Sequence, residues 1–258
     1  MSQRVLAITH SSPLRPAVAW ALPFALLFIL SAVVLTSAWA EATLSTDQSG
    51  AVGPSRKADF GHEKVSAQAR HLANWVVGSA DNQNMPFMVI DKVFAKVMIF
   101  DGKGQLLGSA PALLGLAKGD DSSPGIGQRK LSSIRSEEKT TPAGRFVASL
   151  DRDLHGKEML WVDYDTAISM HPIVKGTLAE KRSQRLGSAR PDDRRISYGC
   201  INVPLKFFES LVGPTFTGTS GIVYILPETR TNQEVFRTYD VPESSVQPMP
   251  LLAANPHQ

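Results

Sequence analysis

From position 61 the apolar residues Val65, Ala69, Leu72, Ala73 and Val76 recur at helical spacing, which predicts an amphipathic helix over 61–77. His62 and His71 lie on that segment. They are nine apart and lack the H-E-x-x-H arrangement of a zinc site, so both are read as solvent-facing. At Pro86 the pattern turns to branched and aromatic runs, predicting strands over 87–90 and 93–100, a hairpin turn at Asp101-Gly102-Lys103-Gly104, and a third strand over 105–114. A long polar loop, 115–141, follows; loops of that length in a compact domain are usually lids or binding rims. Its Gly125-Ile126-Gly127 has no strand-loop-helix context and is not read as a phosphate cradle.

Further strands are expected over 146–150, 159–162 and 166–170, the last ending on His171-Pro172. Residues 173–194 read as a polar, basic loop. The segment 204–212 reads as a short helix with Pro204 in its first turn and an apolar stripe of Leu205, Phe208, Leu211 and Val212. A last strand is expected over 221–226. The remainder, 228–258, is expected to be irregular, disordered from Pro242 on. The chain is mostly β with short helices. It divides into a catalytic region at 86–227, a helical segment at 61–85 and a flexible spacer at 41–60.

The first 40 residues change the picture. Arg4 and Arg15 precede an apolar run from Ala17 to Ser37, then Ala38-Trp39-Ala40, with no acidic residue before Glu41. That is the order of an export signal; the run is also long enough to serve as an uncleaved membrane anchor, the one membrane contact expected. Removing residues 1–40 takes two arginines from the formal +3 and leaves +1, so the basic character weakens and no nucleic-acid partner is indicated.

An exported chain normally uses cysteines in pairs, yet this one has a single cysteine, Cys200. It stands in Arg194-Arg195-Ile196-Ser197-Tyr198-Gly199-Cys200-Ile201-Asn202-Val203-Pro204, expected as a strand-to-helix junction. At a helix N-terminus the macrodipole and free N–H groups lower a thiol's pKa and can receive an oxyanion. A thiol nucleophile also needs a base within hydrogen-bond reach, and His171 at a strand end can supply one. A third group should orient the imidazole; a backbone carbonyl would serve and leave no trace in the sequence. Among the surrounding cations, Arg194 and Arg195 are candidates for a carboxylate-bearing substrate. No metal or organic cofactor is indicated, for neither ligand spacing nor a nucleotide fingerprint occurs.

Three stretches, Thr141-Pro142-Ala143-Gly144-Arg145-Phe146, His171 and Ser197-Tyr198-Gly199-Cys200-Ile201-Asn202-Val203, make residues 87–226 resemble the L,D-transpeptidase catalytic domains of bacterial cell-wall enzymes. The resemblance implies a β-sandwich with one helix after the cysteine and a role in wall biogenesis and cell shape. It implies acyl transfer on peptidoglycan stem peptides: Cys200 as the nucleophile that forms a thioester and expels D-alanine, His171 as its base, and an amine, on another stem or a wall-linked protein, as acceptor. It further implies an oxyanion site from the backbone of Tyr198, Gly199 and Cys200, with Ser197 and Asn202 shaping the pocket. Members commonly carry His where this chain has Tyr198, so a second imidazole is missing. The stretch from His171 to Cys200 is also longer than in compact members, which makes the basic loop an insertion. Water in place of the amine would give a carboxypeptidase or hydrolase with the same residues; a silent wall-binding module is the non-enzymatic alternative.

Overall fold

A computed structural model describes residues 56–240. The expected export segment, most of the spacer and the tail beyond 240 lie outside the described residues. Among the described residues no helix is long and apolar enough to cross a membrane.

Ten strands form in chain order: β1 (Phe87–Asp91), β2 (Lys96–Phe100), β3 (Leu106–Pro111), β4 (Leu114–Gly115), β5 (Gly144–Arg152), β6 (Glu158–Asp163), β7 (Ile168–Pro172), β8 (Arg195–Ser197), β9 (Ile201–Val203) and β10 (Gly221–Ile225). Eight of them hydrogen-bond in the order β3-β2-β1-β10-β5-β6-β7-β9, and β4 pairs with β8 apart from these. β5 turns the corner. Its first half pairs with β10, Ala148 opposite Gly221, and its second half pairs with β6, Ser149 opposite Trp161. A strand that changes partners midway folds one sheet into two facing layers. One apolar core fills the space between them, with Met88, Ile90, Val97, Ile99, Val223 and Ile225 from one layer and Leu160, Val162, Ile168, Met170, Ile201 and Val203 from the other. The expected mostly β, sandwich-type architecture is thus observed.

Helix α1 (Ala67–Ser79) covers the outer face of β1, β2 and β10. It starts later than the periodicity suggests, because Ser66 caps it by accepting from the Ala69 N–H at 3.0 Å. His62 therefore lies in the turn before the helix, exposed, and His71 is on the helix, 3.2 Å from Asp240. The strand expected over 93–100 begins only at Lys96. The Asp91 carboxylate accepts from the Phe94 N–H at 3.1 Å and turns the chain, leaving Val93 and Phe94 exposed at a hairpin tip.

Two ends of the expected domain map need correction. Phe60, assigned to the spacer, is buried against the Phe100 ring, and Asp59 bridges Gln105. The stretch after 228, expected to be irregular, contains a helix, α5 (Asn232–Phe236), capped by Thr231 and buried through Phe236 in the α1 core. Between β7 and β9 the crossover holds α2 (Arg182–Leu186). After β9 a helical run starts with α3 (Leu205–Phe207), passes through a π turn (Phe208–Val212) and ends with α4 (Gly213–Phe216).

Candidate active site

β7 and β9 are parallel neighbours, with Met170 opposite Ile201 and His171 opposite Asn202. Successive side chains on a strand point to opposite faces. Met170 and Ile201 enter the core, so Ser169, His171, Cys200 and Asn202 gather on the other face. Parallel pairing is what brings an imidazole and a thiol 29 positions apart in the chain to one place.

Cys200 is half-buried, its Sγ 3.6 Å from Ser169 Oγ and 3.6 Å from the Ala167 carbonyl oxygen. Burial pushes this thiol up, but hydrogen bonding to His171 and to Ser169 outweighs it and holds the thiol below its ordinary value. His171 moves the other way: burial lowers it, and the hydrogen bond and charge of Cys200, with the Pro172 carbonyl, raise it on balance. Each shift runs toward a thiolate beside an imidazolium. The source of that bias differs from the expectation. Cys200 lies in a turn between β8 and β9, not at a helix N-terminus, since Ile201–Val203 is strand and the helical run starts at Leu205. The macrodipole plays no part here.

The orienting group left unnamed by the sequence is the Pro172 carbonyl, 2.8 Å from His171 Nδ1. A carbonyl only accepts, so Nδ1 carries a proton, and in the neutral ring Nε2 keeps the lone pair. Asn202 Nδ2 is 3.2 Å from that Nε2.

The turn itself is braced from two sides. Ser197 Oγ donates to the Cys200 carbonyl at 2.6 Å and accepts from the Gly199 N–H at 3.1 Å. Gly199 is thereby engaged and is not a free oxyanion donor. Its φ of +131° suits glycine, and a Cβ there would stand 2.8 Å from the Thr140 carbonyl oxygen. From the other side Thr141, fully buried, donates its hydroxyl to the Gly199 carbonyl at 2.7 Å and accepts from the Gly115 N–H at 2.8 Å. This accounts for a threonine at the head of Thr141-Pro142-Ala143-Gly144; the residue type in a motif was the only signal for it. Tyr198 is half-buried, with Lys139 Nζ 3.9 Å from its ring centroid, a cation-π contact.

Arg194 and Arg195, the candidates for a carboxylate-bearing substrate, are engaged within the protein. Arg195 donates to the Lys92 carbonyl at 3.0 Å and pairs with Glu228, inside a buried network where Lys92 Nζ meets Asp120 Oδ1 at 2.7 Å and the Thr141 carbonyl at 3.0 Å. Arg194 donates to the carbonyls of Ala95 and Ser188 at 3.2 and 2.6 Å. Side chains this committed to backbone and carboxylate partners hold the β8 end of the turn in place. Arginines in a polar stretch look alike in sequence whichever way they point.

A groove of about 970 Å³ opens from His171 and Pro172 along Lys157, Glu158, Lys175, Leu205, Phe208 and Glu209; its lining includes His171 but not Cys200. Among the described residues no cluster of three or more His, Cys, Asp or Glu could hold a metal ion.

No family model matches the chain, and no curated protein matches it. Solved structures do, many of them L,D-transpeptidase catalytic domains. The catalytic domain of the E. faecium L,D-transpeptidase aligns with 55% of this chain and 98% of its own at 18% identity and a TM-score of 0.32. Mycobacterium tuberculosis L,D-transpeptidase 1 aligns over 55% and 61% at 15% identity and a TM-score of 0.30. The helical cell shape determining protein Pgp2 from Campylobacter jejuni aligns over 57% and 49% at 11% identity and a TM-score of 0.38. The chain spans about half of that last protein.

Proposed function

We propose that the protein is an exported cysteine acyltransferase acting on peptidoglycan stem peptides, an L,D-transpeptidase. What supports this reading most is the Cys200 thiol, in the turn that enters β9, and the His171 imidazole, on its parallel neighbour β7, gathered on one face, each shifting the other's proton toward the ion pair.

The Cys200 thiol gives its proton to His171 Nε2, and the sulfur attacks the carbonyl carbon of the third stem residue. The tetrahedral oxyanion collapses, the bond to the D-alanine nitrogen breaks, and the imidazolium returns the proton to that leaving amine. The thioester is then attacked by an acceptor amine, whose proton passes to His171 and on to the sulfur as the thiol leaves. Of the three backbone donors considered for the oxyanion, Gly199 is held by Ser197, which leaves the N–H groups of Tyr198 and Cys200 for that task. Tyr198 brings no second imidazole, so His171 handles every proton in both half-reactions. The groove at His171, lined by both lysines and glutamates, suits a stem that carries carboxylates and an ammonium group.

The deciding experiment is Cys200→Ala incubated with a tetrapeptide-stem muropeptide. D-alanine release by the native chain and none by the variant is expected; equal release by both ends the proposal. Cross-linked dimers among the products identify an amine acceptor, and trimmed monomers identify water.

A further inference from the structure

We propose that Arg182, in the crossover between β7 and β9, is a positioning residue that sets the histidine's tautomer through the side-chain amide of Asn202. The inference rests on His171 being the base of the proposed reaction.

Arg182 is the first residue of α2, and its side chain is 10% exposed. Nε meets Glu180 Oε2 at 2.8 Å and Nη2 meets Glu180 Oε1 at 3.4 Å, a two-point grip on one carboxylate. Glu180 is itself held, accepting from the Thr177 N–H at 3.0 Å. Gly176 lies against this pair, where a Cβ would stand 2.7 Å from Arg182 Nε. The guanidinium is therefore clamped, and its remaining nitrogen, Nη1, reaches Asn202 Oδ1 at 2.9 Å.

Donor and acceptor roles then follow without choice. A guanidinium can only donate, so the Asn202 atom facing it is the carbonyl oxygen. That turns the amide nitrogen, which also only donates, toward His171 Nε2 at 3.2 Å. Nε2 must hold a lone pair to accept. The Pro172 carbonyl makes the matching demand at Nδ1, which must hold the proton. Two contacts on opposite sides of the ring select the one neutral form that can take a proton from the thiol.

Asn202 is 1% exposed and cannot turn to water for a partner. Without Arg182 its amide is free to rotate by half a turn and offer Oδ1 to Nε2. An acceptor there favours a proton on Nε2, alone or together with the Nδ1 proton that the Pro172 carbonyl holds, and a ring protonated at Nε2 cannot serve as base. The Arg182 charge also opposes an imidazolium, in part against the raising effect of Cys200.

The test compares Cys200→Ala with Cys200→Ala/Arg182→Met, both in the full chain; losing the sulfur removes the partner that raises the ring's proton affinity. Side-chain ¹⁵N shifts, with His171 assigned from the spectrum of His171→Gln, report the tautomer directly. We expect the Nδ1–H form alone in the first protein and a rise in Nε2 protonation, as the other tautomer or as imidazolium, in the second. In the Cys200 background, Arg182→Met should slow D-alanine release about tenfold, the scale on which orienting partners of a site histidine act. It should cost nothing further on top of Asn202→Ala, because the effect runs through that amide. A pure Nδ1–H ring in Cys200→Ala/Arg182→Met, or an equal loss in both backgrounds, overturns the assignment. If Arg182→Met does not fold, Asn202→Asp replaces the amide with an acceptor of the same shape and should protonate Nε2; an unchanged ring overturns it equally. The tautomer is read without substrate, so absence of D-alanine release by the native chain would count against the proposed function and leave the role of Arg182 separately tested.

Discussion

Thr141→Val asks whether one hydroxyl holds the turn that carries Cys200. Valine matches threonine in shape, so the change opens no cavity and removes only the polar contacts. Two buried backbone groups lose their partner: the Gly199 carbonyl, 2.7 Å from the hydroxyl, and the Gly115 N–H, 2.8 Å from it. Water has no way to replace the hydroxyl at a residue with no exposed surface. An unsatisfied buried group costs about 1–3 kcal/mol, so the pair should cost about 2–4 kcal/mol after some relaxation. In urea that loss lowers the unfolding midpoint by about 1 M or more at an unchanged m-value. Thr141→Ser is the control: it keeps the hydroxyl and gives up one methyl, about 0.8 kcal/mol. Loosening the carbonyl of Gly199 should also slow thiol alkylation in the folded variant, since the turn no longer presents the sulfur in one geometry. Thr141→Val within about 0.5 kcal/mol of the native protein, or Thr141→Ser as damaging as Thr141→Val, refutes the reasoning.

Two further outcomes are expected. His171→Gln removes the partner that holds the Cys200 thiol low and leaves the burial that pushes it up, so the pH midpoint of iodoacetamide alkylation should move upward; a midpoint unmoved or lowered would contradict the pairing. Asp120→Asn strips Lys92 of its nearest carboxylate, leaving Glu228 at 3.6 Å, and should cost about 3–5 kcal/mol at neutral pH. Lys92 and the N–H groups of Glu228, Thr229 and Arg230 hold the Asp120 carboxyl well below the usual range against the opposing effect of burial. A depressed folded value means its stabilisation is present above the unfolded pKa of about 3.9 and is lost as pH falls through the folded value. The gap between the native protein and Asp120→Asn in urea titrations should therefore narrow below about pH 4; a constant gap would remove the carboxylate from the account.

The apolar rhythm of the chain revealed most of the sandwich, because strands whose two faces both pack read as unbroken runs of branched residues, as β1, β2 and β10 do. It hid β8 and β9, only three residues each, whose pairing comes from partners at Leu114 and Met170 and not from any local preference. That omission misplaced the thiol at a helix end. The roles of Cys200 and His171 were suggested by residue type and motif. Those of Thr141, Ser169 and Arg182 were not, since a buried hydroxyl or a clamped guanidinium is defined by what the fold sets beside it. Arg194 and Arg195 show the converse: charge alone suggested a substrate site, and the structure turns both inward.

The same geometry explains how a long basic crossover can separate the Cys200 thiol from the His171 ring. A parallel pair needs a crossover of some length, and lengthening a loop whose ends are already fixed adds little closure entropy, about 0.6 kcal/mol per doubling. The sulfur and the ring are positioned by the ladder from Met170–Ile201 to Pro172–Val203 and by the bridge from Leu113 to Asn202, none of which involves residues 174–194. Most of the crossover is thus free to vary in sequence without moving the site. Arg182 is the exception, because it alone in the crossover donates to Asn202, and that contact ties the crossover to the face that holds His171.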